Sequence, residues 1–529
     1  MHSSVYRKVG LASAVMMASV FLSRLIGLLR EMVIAFMAGA GPEVDAYQVA
    51  FILPEILNHV VATGFLSITF IPLFTRHLVR GTEAEAWRVF STLLCVFGSL
   101  AVGVVAVSMV MAPHLVAWAA PGLADPHTLA AAVRMTRIIL PAQIFFFAGG
   151  LLMAVQFARE RFLLPALAPL VYNLGIVAGG ILLGPWLGIE GFAWGVLAGA
   201  LGGNCLLQWA GARRVGMRFH AAWQWAHPDV KEYVRLTLPL MLGLTMTFST
   251  EILFRFFGSF LPAGSIAVLN FSLRVMLILV GIFGQAVGTA SFPFMARLAA
   301  ENNLDDLNRL LNRTLRYLAL VIPVSVLLMV LSPEVVRVLF QHGRFEPAAA
   351  RLTADVLVWF LAGAVAFAAY TVIVRGYFAT RNTLFPALFG TAAVVASLPL
   401  YPLGILLMDV EGVALAISIS GVLQAVLLFL LWSRRSGNTG RAEVGRFYVK
   451  MVLLSLAMAP VLAMFRRWIS DGIDPATLPG SLAVLILVGL LFAGLMLLAG
   501  YGLRIPEITD LAGRVLKLKA QNSKLKSKA

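Results

Sequence analysis

Charges embedded in apolar sequence are the first feature here that could do chemistry. The stretch SRLIGLLREMVIAFMAGAGPEVDAY, residues 23–47, carries Arg24, Arg30, Glu31 and Asp45. At the centre of a membrane helix such charges cost about 2.5–3.5 kcal/mol each on insertion scales. They therefore need partners or a task. Arg24 and Glu31, seven residues apart, share one helical face, and Arg30 lies about 120° round it. Asp45 follows the AGAGP turn and is placed to pair with Arg30. Two readings stay open. The charges form an internal ion-pair lattice, or they line a cleft that holds an anion, since a guanidinium fork suits phosphate oxygens.

Other polar residues sit in equally apolar surroundings. Arg274 lies deep in a later apolar run, and arginines converging from different parts of the chain would make a polyanion site. Glu251 and Arg255 read as a local i,i+4 pair that lowers the cost of insertion. Asn58 and His59 read as interhelical hydrogen-bonding groups, and His59 could alternatively titrate during transport. Arg375 either snorkels to the membrane face or enters a cavity. GVLAGALGG puts Gly195, Gly199 and Gly203 on one face, a pattern for close helix packing rather than nucleotide binding. No Gly-Lys pair, HExxH or CxxC occurs, so neither an ATP loop nor a metal site has a motif, and no cofactor is expected. Any work must draw on an ion gradient, the membrane potential or downstream consumption.

The elements that must position these residues are membrane helices. Of 529 residues, 60% are hydrophobic and 12% charged, against about 25% charged in soluble domains. Apolar blocks of roughly 20 residues recur throughout, which predicts an all-α polytopic membrane protein. Fourteen spans are expected, at 11–38, 46–75, 88–112, 129–157, 162–184, 188–212, 231–258, 264–296, 312–332, 350–378, 384–407, 410–433, 446–468 and 480–503. Arg7 and Lys8 precede a segment too long for a signal peptide, so it reads as a retained first helix. Cys95 and Cys205 fall in apolar runs and read as small core residues, not a disulfide.

The net charge of +16 does not point to nucleic acid, because Lys and Arg gather in alternate loops and in the tail RVLKLKAQNSKLKSKA. That pattern predicts both termini in the cytoplasm. Arg337, Arg344 and Arg351 in one loop, and Arg466 and Arg467 in another, are exceptions. The tail sets topology or meets anionic headgroups.

Two halves match at a constant offset of 221 residues. Pro72 pairs with Pro293, Phe157 with Phe378, Pro165 with Pro386, Glu190–Gly191 with Glu411–Gly412, and Arg213–Arg214 with Arg434–Arg435. The offset covers six spans, an even number, so the copies share one orientation, as in parallel-repeat transporters. The expected organisation is an N-lobe at 1–220, a C-lobe at 221–440, two added helices at 441–504 and a basic cytoplasmic tail at 505–529. Substrate would bind between the lobes by alternating access.

These residues also carry a family resemblance. SRLIGLLREMVIA followed by GAGPEVDAYQVAFILPEIL resembles the opening of the MurJ/MviN lipid II flippases, as do FLSITFIPLF, APGLADP, FARERFLLPALAPLVYN and VRVLFQHGRFEPAAA. It covers residues from about 10 to 435, and more weakly the last two helices. It implies the multidrug/oligosaccharidyl-lipid/polysaccharide exporter fold, a cationic central cavity and a groove on the last two helices for a polyprenyl tail. It implies a transporter rather than an enzyme, in the bacterial cytoplasmic (inner) membrane. The implied substrate is lipid II, moved from the cytoplasmic to the periplasmic leaflet, with membrane lipids and cell-wall synthesis proteins as further partners. The family's essential positions match Arg24, Arg30, Asp45 and Arg274, with Asp45 orienting or releasing an arginine.

The chain departs from the family pattern where Asn58 and His59 replace basic residues and Leu277 replaces an acidic one. Glu251 and Arg255 stand where family members are uncharged, so Arg255 is expected to replace the missing span-two arginine in part. Substrate contacts are accordingly expected from Arg24, Arg30, Glu31, Asp45, Asn58, His59, Arg255 and Arg274. The alternative is a flippase for another polyprenyl-linked glycan, such as an exopolysaccharide or O-antigen unit. A drug exporter would want an acidic cavity, and a non-transporting scaffold would tolerate loss of these arginines.

Overall fold

The structure is a computed structural model that describes residues 2–61, 69–241 and 246–510, and among these no strand occurs. The helices are α1 (His2–Ala38), α2 (Pro42–Val49), α3 (Ile52–Val61), α4 (Ile71–Val79), α5 (Glu83–Ala119), α6 (Pro126–Ile139), α7 (Ala142–Ala158), α8 (Leu163–Leu187), α9 (Glu190–Ala200), α10 (Leu207–Arg214) and α11 (Pro228–Met241). Then follow α12 (Met246–Gly258), α13 (Ser265–Val280), α14 (Ala286–Ala300), α15 (Leu304–Leu318), α16 (Val321–Val330), α17 (Ser332–Phe340), α18 (Pro347–Ala379), α19 (Leu384–Ser397), α20 (Leu400–Arg435), α21 (Arg441–Gly472) and α22 (Leu478–Gly502).

Helix starts follow capping chemistry. Asp125 precedes Pro126 and accepts from the backbone N–H of His127 and Thr128 at the start of α6. Those donors, with the Thr128 hydroxyl foremost, hold its carboxyl below the usual carboxylate range. Asn303 caps α15 through Asp306 N–H, and Thr477 caps α22 through Gly480 N–H.

Nine helical stretches among the described residues are individually long and apolar enough to span a bilayer. The other expected spans are interrupted or charged. Span 11–38 is one continuous helix, α1, carrying Arg24, Arg30 and Glu31. Span 188–212 is α9 and α10 joined by a π turn at Leu201–Leu206. Span 384–407 is the 14-residue α19 followed by the first part of α20. Spans 46–75 and 231–258 each contain residues outside the described set, at 62–68 and 242–245. Most of the basic tail, 511–529, also lies outside it. Large apolar side chains stand exposed along the long helices: Val110 on α5, Met464 on α21, Leu490 and Leu498 on α22. On helices of this length and hydropathy such faces suit the hydrocarbon of a bilayer. The protein is a multi-pass membrane protein.

The 221-residue repeat is written into the backbone. Left-handed residues occur in pairs at that spacing: Gly81 (φ 72°) and Asn302 (54°), Glu160 (56°) and Arg381 (58°), Gly188 (57°) and Asp409 (48°), Gly216 (87°) and Gly437 (67°). Each ends a helix, where a left-handed residue turns the chain. Helix starts repeat as well: Glu83 and Leu304, Pro126 and Pro347, Leu163 and Leu384. Asp409, with ψ −122°, divides α20 at the boundary expected between spans 384–407 and 410–433.

By contacts the chain forms two compact units. The first comprises 1–274, 342–349 and 383–413. In it α8 and α9 pack backbone to backbone: a Cβ on Gly179 would run into Gly195 Cα, and one on Gly175 would lie 2.5 Å from Gly199 Cα. That is the small-residue packing expected of Gly195 and Gly199. An aromatic core of Phe70, Phe74, Trp87 and Phe90 joins α4 to α5.

The second unit comprises 275–341, 350–382 and 414–529. Its α17 packs on α21 and α22 around Leu331, Leu462, Val484 and Val488. Here two of the unexpected loop arginines find partners. Arg466 forks onto the fully buried Glu334 at 2.8–3.0 Å, and Arg337 donates to the Pro475 carbonyl and to Ser481 Oγ. Arg375, also in this unit, donates to Thr289 Oγ1 on α14 at 3.0 Å.

Candidate functional site

The intramembrane charges of the first unit gather around one cavity of about 330 Å³. α1 brings Arg30 and Glu31, α3 brings Glu55 and Asn58, α12 brings Glu251 and Arg255, and α13 brings Arg274. Glu251 and Arg255 share a face because they are one helical turn apart. Glu55 and Asn58 share one for the same reason.

These groups alternate in sign. Arg30 bends back onto the neighbouring Glu31, with Nη2 2.5 Å from Oε1, and Nη1 donates to Asn173 Oδ1 at 3.1 Å. Glu31, 2% exposed, also accepts from Asn270 Nδ2 at 2.9 Å and lies 3.8 Å from Arg274 Nε. Arg274 forks onto Glu251 at 2.8 and 3.2 Å. Glu251 accepts from Arg255 at 3.1 Å. Arg255, 1% exposed, forks onto Glu55 at 2.5 and 3.1 Å. The result is a continuous chain, Arg30–Glu31–Arg274–Glu251–Arg255–Glu55, with three formal charges of each sign.

Such an arrangement solves the insertion problem, because buried charges that are paired and hydrogen-bonded do not carry the full cost of desolvation. It also has a chemical use. A diphosphate entering the cavity offers the guanidinium groups better acceptors than single carboxylates, in the bidentate geometry they already use. Anion binding at such a site would be an exchange of partners.

Asp45 departs from the expected pairing with Arg30. Its Oδ2 accepts from Gly264 N–H at 2.5 Å and its Oδ1 from Ala267 N–H at 2.8 Å. A carboxylate at a helix N-terminus satisfies orphan donors and the helix dipole, a stronger claim on Asp45 than an arginine already held by Glu31. Asp45 thus fixes the start of α13, the helix that carries Arg274. Gly264 (φ +92°) completes the joint: a Cβ there would meet the Ala40 carbonyl at 2.5 Å.

The remaining expected residues divide as follows. Asn58 lines the cavity. His59, beside it, points elsewhere and stacks on Phe248 with ring centroids 3.9 Å apart. Arg24 is half-buried on α1 and does not line the cavity; it stands six residues, about 9 Å of helical rise, from Arg30. The Glu251–Arg255 pair is present but not merely local, since each residue also bonds beyond it. Sequence reasoning missed Glu55, the long-range partner of Arg255. Its signal was there: a carboxylate in the apolar run FILPEIL, one turn before Asn58.

Comparison with known proteins assigns the chain. The sequence model of the family described as lipid II flippase MurJ matches residues 34–482. The chain belongs to the lipid II flippase MurJ family. Among similar proteins, the "Probable lipid II flippase MurJ" of Rhizobium meliloti is 27% identical over 495 residues, covering 89% of each chain. The "Lipid II flippase MurJ" of Burkholderia cenocepacia is 26% identical over 493 residues, covering 91% of this chain and 95% of its own. Among solved structures, a lipid II flippase MurJ in an inward closed conformation matches with a TM-score of 0.73 at 24% identity, covering 90% of this chain and 97% of that one. An inward-facing multidrug resistance transporter of the MATE family matches with a TM-score of 0.64 at 14% identity, over 78% of this chain and 94% of that one. The fold expected from the sequence, an all-α polytopic membrane protein of about fourteen membrane helices, is the fold observed.

Proposed function

We propose that this protein moves lipid II, the undecaprenyl-diphosphate-linked peptidoglycan precursor, from the cytoplasmic to the periplasmic leaflet of a bacterial inner membrane. The observation that carries the reading is the charge chain of the first unit. Arg30, Arg255 and Arg274 line one cavity within the membrane spans and are held by carboxylates that a diphosphate can displace. A diphosphate cannot cross hydrocarbon without such replacement of its water. Family membership supplies the lipid. The two lobes of the repeat, 1–220 and 221–440, would alternate access to the cavity, and helices in 441–504 would carry the polyprenyl tail outside it. Both termini would lie in the cytoplasm.

Arg30 and Arg274 take the diphosphate directly in this mechanism. Arg255 supplies a third guanidinium, bound to α3 through Glu55, near the place where the family carries a span-two arginine and this chain carries Asn58. Arg24 would meet the ligand on its way along α1. Asp45 acts through α13 by fixing its first turn.

The test is rescue. A bacterium depleted of its own lipid II flippase, expressing this protein, is assayed for periplasmic exposure of labelled lipid II. Exposure restored by the wild type and lost in Arg274→Ala at equal membrane level supports the reading. Failure of well-inserted wild type would move it to another polyprenyl-linked glycan.

A further inference from the structure

The segment that joins the two copies of the repeat carries a surface that the charge chain does not use. From the end of α10 to the start of α11 it reads RRVGMRFHAAWQWAHPD, residues 213–229. Phe219, Trp223 and Trp225 are 42%, 59% and 57% exposed. Arg213, Arg214 and Arg218 are exposed as well, and none of them forms an ion pair among the described residues. The carboxylates around the segment already have partners: Glu83 has Arg159, Glu85 has Arg88 and His227, and Asp229 has Arg76 and His77. Large exposed rings beside unpaired cations suit the boundary between headgroups and hydrocarbon, where amphipathic rings and basic side chains both gather.

Trp225 also walls a groove of about 520 Å³ on the exposed side of α5, together with Val96, Leu100, Gly103, Val104, Val107 and Ser108. Leu100 and Val107 stand exposed, and a Cβ added at Gly103 would meet nothing within 4 Å. From Val96 to Ser108 the groove follows α5 for about 18 Å of helical rise, close to the ~15 Å hydrocarbon depth of one leaflet. The linker is held at the start of this groove. His220 N–H donates to Ser91 Oγ at 3.1 Å, five residues before Val96, and the Trp225 and Phe97 rings lie 6.5 Å apart. The cations stand beside that anchor. Arg218 is two residues from His220, and Arg213 lies over Trp209, whose ring is 6.5 Å from that of Phe219. Every residue of this surface belongs to the first unit.

We propose that the groove and the basic aromatic linker form one site for an anionic phospholipid of the adjoining leaflet, the cytoplasmic one in the topology proposed above. One acyl chain lies along α5 from Trp225 towards Ser108, and the headgroup phosphate meets Arg218 and the arginines at the end of α10. Charge selects the occupant. Unpaired guanidinium groups gain most from a lipid with net negative charge, whereas a zwitterionic lipid brings its own ammonium group. The site is independent of which glycan the protein carries.

The experiment titrates two probes into the purified full chain in detergent. They are phosphatidylglycerol and phosphatidylcholine with the same brominated acyl chains, which quench indole fluorescence on contact. The chain has ten tryptophans, so Trp225→Leu identifies the quenched component that belongs to the groove. Wild type is expected to bind phosphatidylglycerol about tenfold more tightly than phosphatidylcholine. The combined variant Arg213→Gln, Arg214→Gln, Arg218→Gln is expected to bring that ratio close to one while phosphatidylcholine still binds. Gly103→Leu fills the groove from a position with open space and is expected to abolish the Trp225 component with either probe. Thermal unfolding of each variant shows that it is folded. Equal affinity of wild type for the two probes, or a preference that survives the triple arginine variant, overturns the anionic site. Quenching that is unchanged in Trp225→Leu or in Gly103→Leu overturns the groove as the place of the chain.

Discussion

Arg255 and Glu55 meet across 200 positions of sequence, in a two-toothed ion pair of 2.5 and 3.1 Å. The pair ties α12 to α3 at the edge of the cavity. Arg255 is 1% exposed, whereas Glu55 keeps about a quarter of its side-chain surface accessible. Removing the arginine leaves Glu55 without its cation and Glu251 with Arg274 alone. Arg255→Ala is expected to destabilise the protein by about 3–5 kcal/mol. The double variant Arg255→Ala, Glu55→Gln should recover part of the loss, because it removes one stranded charge as well. Thermal unfolding of single and double variants, read as a cycle, checks this.

Arg274 uses its fork on Glu251 in a geometry that a phosphate would take over. Arg274→Lys keeps the charge but not the fork. Lipid II exposure in the rescue assay is expected to fall about 10–100-fold, the loss of one charge-assisted hydrogen bond worth roughly 1.5–3 kcal/mol. Membrane level should stay near wild type, since the variant's ammonium group can still pair with Glu251. Unchanged exposure would remove Arg274 from the substrate's path.

Asp45 acts through a backbone it caps. Asp45→Asn retains an acceptor for only part of the α13 terminus and is expected to cost about 1 kcal/mol. Asp45→Ala, which removes both acceptors, should cost roughly 2 kcal/mol and lower transport by misplacing Arg274. The distinguishing measurement is affinity for undecaprenyl diphosphate. The Asn variant should be milder than the Ala variant, whereas a carboxylate that served the substrate by its charge would make the two alike.

How much of this was legible in the chain divides along physical lines. The spans were legible because hydrocarbon demands apolar runs of fixed length, and the repeat because turns and prolines hold their spacing. Arg30, Glu31 and Arg274 announced themselves by cost. What could not be read was who pairs with whom. Arg30 had Asp45 as its obvious partner beyond the turn, yet Asp45 found backbone donors at the start of α13 and Glu31 was nearer. Glu55 looked ordinary because its partner lies on another helix far along the chain, and no periodicity encodes that meeting. His59 shows the same limit in reverse: adjacency to Asn58 suggested a shared cavity, but adjacent residues on a helix point about 100° apart.

The glycine face of α9 is tight enough to test directly. A Cβ on Gly195 would lie 2.7 Å from the Gly175 carbonyl and 2.9 Å from Ile176 Cα. Backbone cannot yield as a flexible side chain can. Gly195→Val is expected to separate α8 from α9 and to lower the amount of folded protein in the membrane several-fold. Gly98→Ala on α5, where nothing lies within 4 Å of the added Cβ, is the matched control.

Gly188 and Asp409 occupy the same left-handed turn in the two halves, and only one is glycine. Asp409→Gly is expected to stabilise by about 1 kcal/mol, and Gly188→Ala to destabilise by a similar amount. Opposite shifts in melting temperature of a degree or two in these variants would establish that the turns are equivalent in energy as well as in shape.

The repeat also bears on how the charges arose. Positions 221 apart are counterparts, and the counterpart of Arg30 is Glu251. Those of Arg255 and Arg274 are the apolar Ile34 and Leu53. Two identical copies of the first half would place an arginine at both positions of the first pair, with the cost of mutual repulsion in hydrocarbon. In this chain that pair carries opposite signs, and Arg255 and Arg274 have no charged counterpart. The cavity is therefore the place where the two copies ceased to be interchangeable, and a chimera made of two first halves, however well its turns fit, would inherit the repulsion and not the site.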